Sequence, residues 1–104
     1  MILLIFFFSL CGNISEFSLD QNGERLAISF ENSNLIGIMR CDFNSYKTYN
    51  PIIPLGFIRG PKNNDCCHLN FWKGFEKGSL LSTNWQNGKI GFYPFYYQNE
   101  REEF

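Results

Sequence analysis

The chain has 104 residues, room for one small domain. Its formal net charge is −1 and no basic run occurs in it, which argues against a nucleic-acid partner, since phosphate binding needs clustered Lys and Arg. Twelve Phe, five Tyr and two Trp carry much of the apolar content, a bias that fits pleated, half-buried surfaces and favours strands over helices.

The N-terminus opens with a continuous apolar run, Ile2 to Phe8, extended by Leu10 and Cys11. It is too short to cross a bilayer, which takes about 20 apolar residues. Its length is that of a signal-peptide core, and Ser9 and Cys11 supply the small residues of a cleavage site, but no Lys or Arg precedes it. Residues 1–13 are therefore read as a hydrophobic leader or an aberrant start. The sequon Asn13-Ile14-Ser15 carries information only if the chain is secreted.

Strand signals follow. Glu16–Leu19 forms a short strand, and Asp20-Gln21-Asn22-Gly23 a polar turn with Gly where φ is positive. Glu24–Phe30 alternates, with Leu26, Ile28 and Phe30 on one face and Arg25, Ala27 and Ser29 on the other. After Glu31-Asn32-Ser33 the segment Asn34–Arg40 makes the next strand, and Ile52–Ile58 a further one. Pro51 and Pro54 restrict that fourth strand to an edge. His68–Phe71, Ser79–Trp85 and Lys89–Tyr96 then form a second meander, turning at Lys77-Gly78 and at Gln86-Asn87-Gly88. Asn-Gly between alternating apolar runs is a strong hairpin signal, because both residues accept the positive φ of a type I′ turn. No segment keeps a helical 3.6-residue pattern over ten residues.

The two meanders repeat. Gly23 falls on Gly78, Leu26 on Leu81, Phe30 on Trp85, Asn32 on Asn87 and Leu35 on Ile90, each pair 55 residues apart. A fixed period of strand–turn–strand units marks a propeller or similar array. Here the period is longer than the ~40–45 residues of common blades, and the excess lies in Cys41–Asp65.

From Glu16 onward the chain resembles the C-terminal part of the aladin family, WD-repeat proteins of the nuclear pore complex. The resemblance is carried by FSLDQNGERLAISFENSNLIGIM, by PLGFIRGP and above all by FEKGSLLSTNWQNGKIGFYPFYY. It implies an all-β fold of antiparallel meanders, the last two and incomplete blades of a WD40-type β-propeller. Residues 14–60 would form the first blade, 61–97 the second and 98–104 an acidic tail. The family implies a non-catalytic scaffold at the nuclear envelope, acting in nucleocytoplasmic transport. Its partners would be other nucleoporins, a transmembrane nucleoporin among them, with no small-molecule substrate and no cofactor. The chain departs from the family in lacking most of the upstream propeller, in its leader and in its short tail, and so reads as a fragment. A blade without its neighbour leaves a bare edge and open aromatic faces.

On that reading the partner surface comprises loops carrying Arg59, Lys73, Phe75, Lys77 and the Asn87-Gly88 turn. Phe30, Trp72, Leu81, Trp85 and Ile90 are expected in the core. Asp65-Cys66-Cys67-His68 invites a metal reading, but neighbouring strand residues point to opposite faces and the paired spacing of a zinc site is missing. Gly56 to Gly60 lacks the Lys-Ser/Thr of a phosphate loop, and Glu100, Glu102 and Glu103 read as a solvated tail. No catalytic or metal site is expected. A second reading, a small secreted β-rich binding protein, would use the leader and the sequon. It fits less well, because cleavage after Cys11 leaves an odd three cysteines, Cys41, Cys66 and Cys67.

Overall fold

The structure is a computed structural model that describes residues 12–41 and 52–96. The apolar run Ile2–Cys11, the segment 42–51 with Pro51, and the acidic tail lie outside the described residues. Those described form seven strands and no helix. They are β1 (Ile14–Leu19), β2 (Arg25–Phe30), β3 (Leu35–Cys41), β4 (Ile52–Arg59), β5 (Cys66–Trp72), β6 (Gly78–Trp85) and β7 (Ile90–Tyr96). Strands β1-β2-β3-β4 make one antiparallel sheet and β5-β6-β7 a second, each in simple sequence order. β4 lies at a sheet edge, where a proline costs no ladder hydrogen bond. Pro54 adjoins a register irregularity opposite Ile38 and Met39.

The sheets pack face to face, and β5 lies against β1 and β2. Ala27, Ile36 and Ile38 of the first sheet meet Cys66, Leu69, Phe71, Leu81 and Trp85 of the second in one buried cluster. Ile58, Tyr93 and Phe95 close its sides. The other face of the first sheet holds a separate cluster of Ile28, Phe30 and Met39. The alternation read along β2 is thus real, but both of its faces are buried.

Backbone register refines the repeat. Ile14 and Glu16 flank a bulge in β1, and Cys66 and His68 flank one at the matching place in β5. Pairing across the ladders sets Ser29 with Ile36 in the first sheet and Asn84 with Ile90 in the second. Ile90 therefore answers to Ile36, not to Leu35, and the constant spacing of 55 read from the sequence does not extend through the third strand. The reason is a tighter turn: both connections have four residues, but Trp85 bonds to Lys89 across only Gln86–Gly88, which brings the register of β7 forward by one.

That turn also differs from the expected type I′. Gly88 takes a φ of 87° and Asn87 is not in the positive region. Gly88 N–H donates to Trp85 O at 2.8 Å and Trp85 N–H to Lys89 O at 3.0 Å. This is the three-residue hairpin loop, in which an αL glycine follows a tight turn. Gly78, read as a turn residue, is the first residue of β6 and pairs with Tyr96.

Two core expectations are corrected. Phe30, Leu81 and Trp85 are buried, but Trp72 and Ile90 are 50% and 58% exposed. Both lie on the outer face of the second sheet, with Leu80, Phe92 and Tyr96. Trp72 follows the inward Phe71, so alternation turns it outward. Ile90 corresponds to Ile36, which is buried because the second sheet covers it; the described residues place nothing over Ile90.

This correspondence gives the packing a direction. Leu26, Ile28, Phe30 and Met39, on the first sheet's far face, match Leu81, Thr83, Trp85 and Tyr93, which face the first sheet. Ile36 and Ile38, which grip the second sheet, match the outward Ile90 and Phe92. The two sheets are stacked head to tail, with unlike faces in contact.

Candidate functional site

The six residues read as interaction loops separate onto the two ends of the sheets. Lys73, Phe75 and Lys77 lie in the β5–β6 connection, at the same end as the β1–β2 turn, where Gly74 N–H donates to Gln21 Oε1 at 3.2 Å. The Phe75 ring lies tilted against that of Tyr96, with centroids 5.9 Å apart and an interplanar angle of 49°. Arg59, the exposed last residue of β4, lies at the opposite end with the Asn87-Gly88 turn. No single surface combines all six.

At the first end the sheets are joined by buried polar chemistry. Asp20 is buried, and its Oδ1 accepts from Glu24 N–H at 2.7 Å and from Arg25 N–H at 3.1 Å. Its Oδ2 accepts from Ser79 Oγ across the interface. Along the inner edge, β1 side chains satisfy backbone donors of β5. Leu69 N–H donates to Glu16 Oε1 at 2.9 Å, and Phe71 N–H to Ser18 Oγ at 3.3 Å. His68 Nδ1 lies 3.0 Å from the same Glu16 oxygen. A free edge of β5 is thereby capped by side chains rather than by another strand.

At the second end three connections converge on a cleft of about 470 Å³. Asn32, Ser33 and Asn34 come from β2–β3, Asn63, Asn64 and Asp65 from β4–β5, and Gln86 from β6–β7. Hydrogen bonds fix these turns to one another. Asn32 N–H donates to Asp65 Oδ2 at 3.2 Å, Gln86 N–H to Asp65 O at 3.0 Å, and Asn34 Nδ2 to Gly60 O at 3.0 Å. Asn32 and Asn63 hold φ of 55° and 60°, a region that asparagine enters more readily than other side chains. A smaller groove of about 190 Å³ adjoins it, with Arg59 and Lys89 flanking Gly60, Pro61, Trp85 and Tyr93. The sequence places Asn32 in a turn and Asn34 at the head of a strand. The only signal available was the density of asparagines in two connections 30 residues apart, and their meeting depends on sheet packing.

The Asp65–His68 run does not gather into a ligand set. Cys66 is buried, whereas Cys67 and His68 are both exposed, the bulge having broken strict alternation. Burial pushes the Cys66 thiol up to about 11, and the protonated thiol donates to His68 O at 3.4 Å. Among the described residues no group of three or more His, Cys, Asp or Glu could hold a metal ion.

These features define an all-β protein of antiparallel sheets stacked in one sense, with polar connections at both ends. No protein-family model matches the chain. It is similar to aladin of Arabidopsis thaliana, 33% identical over 95 residues. The match takes in 86% of this chain and 21% of aladin, so the chain spans about a fifth of that relative's length. The relationship is aladin-like, partial and distant.

Proposed function

We propose that the chain is a non-catalytic scaffold module of aladin type, acting in nuclear pore organisation and nucleocytoplasmic transport. Its two sheets are consecutive blades of a WD40-type β-propeller. The observation that carries this is the similarity to aladin along most of the chain. The head-to-tail stacking supports it, because unlike faces in contact allow a sheet to be followed by another in the same sense until a ring closes. The outer face of the second sheet, with Trp72, Ile90 and Phe92, is where a following blade would pack. Partners on this reading are other nucleoporins, including one that spans the membrane, and the site of action is the nuclear envelope.

The test is the location of the tagged chain in cells of its own source. A punctate nuclear rim coincident with a pore marker is the expected result. A secreted product glycosylated at Asn13, or a cytoplasmic distribution with no rim, would overturn it.

A further inference from the structure

The cleft at the β2–β3, β4–β5 and β6–β7 connections has a chemistry of its own. Its walls are side-chain amides, one hydroxyl and one carboxylate, with no apolar side chain among them. The Asn32 and Asn63 side-chain amides make no hydrogen bond among the described residues. Asn34 and Asn64 each give one Nδ2–H, to Gly60 O and to Lys62 O, and each keeps its Oδ1 as an acceptor. Asp65 gives Oδ2 to the Asn32 N–H and keeps Oδ1.

An asparagine side chain carries one carbonyl and one NH₂, the pair of groups that a peptide bond also presents, so each can match both ends of a peptide unit. A space of about 470 Å³ falls within the range of sites for short ligands. An apolar ligand finds nothing to cover it. The single charged lining group is a carboxylate, which disfavours an anion and offers a guanidinium a charge-assisted hydrogen bond. The turns are already tied to one another, so little ordering remains to oppose binding.

We infer that this cleft binds an extended peptide segment of a partner protein, with its backbone against the asparagine amides and an arginine side chain on Asp65. The inference does not rest on the propeller reading, since the cleft belongs to turns of the two sheets alone.

The experiment is an amide chemical-shift titration of the full chain with acetyl-Gly-Gly-Arg-Gly-Gly-amide and with matched peptides carrying norleucine or Glu at the centre. Saturable shifts at Asn32, Asn63 to Asp65 and Gln86 with the arginine peptide, and weaker ones with the other two, are expected. Asp65→Asn keeps an acceptor for the Asn32 N–H and removes the charge; it should weaken the arginine peptide by roughly tenfold and bring it level with norleucine. Asn63→Gly suits the positive φ and removes one amide, so it should lower binding of all three with the fold intact, and it carries the test if Asp65→Asn fails to fold. Silence of these turns towards the arginine peptide would overturn the inference. So would equal or stronger response to the Glu peptide, or saturable binding of a neutral trisaccharide such as cellotriose with the peptides inert. None of these outcomes bears on whether the chain locates to the nuclear rim.

Discussion

Gly60 lies directly under the Trp85 ring, and a Cβ built there would overlap the six-membered half of the indole. Trp85 is 4% exposed and held in the shared cluster, so its ring yields only at a cost. Gly60→Ala is therefore expected to cost about 1–3 kcal/mol, as overpacking of a filled core does, read as a lower urea midpoint at unchanged slope. Cys66 makes a prediction in pH. Its thiol holds its proton to about 11 in the fold, against an ordinary 9.0. The unfolded chain loses that proton first, so its contribution is intact below pH 9 and declines as pH rises from 9 to 11. Urea midpoints at pH 8 and 10.5 should fall further for the native chain than for Cys66→Ala. An equal fall would show that the thiol is not shielded.

At the scale of elements, the β6–β7 hairpin depends on one backbone conformation. Gly88 has open space around its Cα, so only its φ of 87° resists a side chain. Gly88→Ala should cost about 1–2 kcal/mol, the usual penalty of the left-handed region for an L-residue, and Gly88→Asn less; thermal melts of the two variants separate the cases. The capped edge of β5 depends on side chains instead. Ser18→Ala leaves the Phe71 N–H without its acceptor, at an expected cost of about 1 kcal/mol. Hydrogen exchange at Phe71 should quicken while that of strand-paired amides within β6 keeps its order.

Over the whole molecule, Trp85 belongs to the cluster shared by both sheets and its ring also meets Gly60 in the β4–β5 connection. Trp85→Ala is expected to cost about 3–5 kcal/mol, a large share of what a small domain possesses. The expected outcome is loss of the cooperative melt and, in cells, of the nuclear rim; a rim that survives would mean that a longer assembly, not this cluster, holds the module together. Patterning alone puts Trp72 and Ile90 in that core, because alternation identifies two faces without saying which of them finds a cover. The same limit applied to the cleft. Asn32, Asn63 and Gln86 each have a local reason to sit in a turn, and nothing local says that the three turns meet.

The sequence by itself determined the strands, their antiparallel order and the repeat of one meander by another, since these follow from period-two patterning, from Gly and Asn at turns and from Pro at an edge. Such signals act over a few residues and are complete within each hairpin. Tertiary structure alone decided which face of each sheet is covered, that unlike faces meet, and that the polar connections converge. Those outcomes rest on contacts between residues distant in the chain, brought together chiefly by apolar area shared between sheets rather than by any local preference. Ile36 and Ile90 show the difference: equivalent in the repeat and alike in type, one is buried and the other exposed because, among the described residues, only Ile36 has a sheet above it.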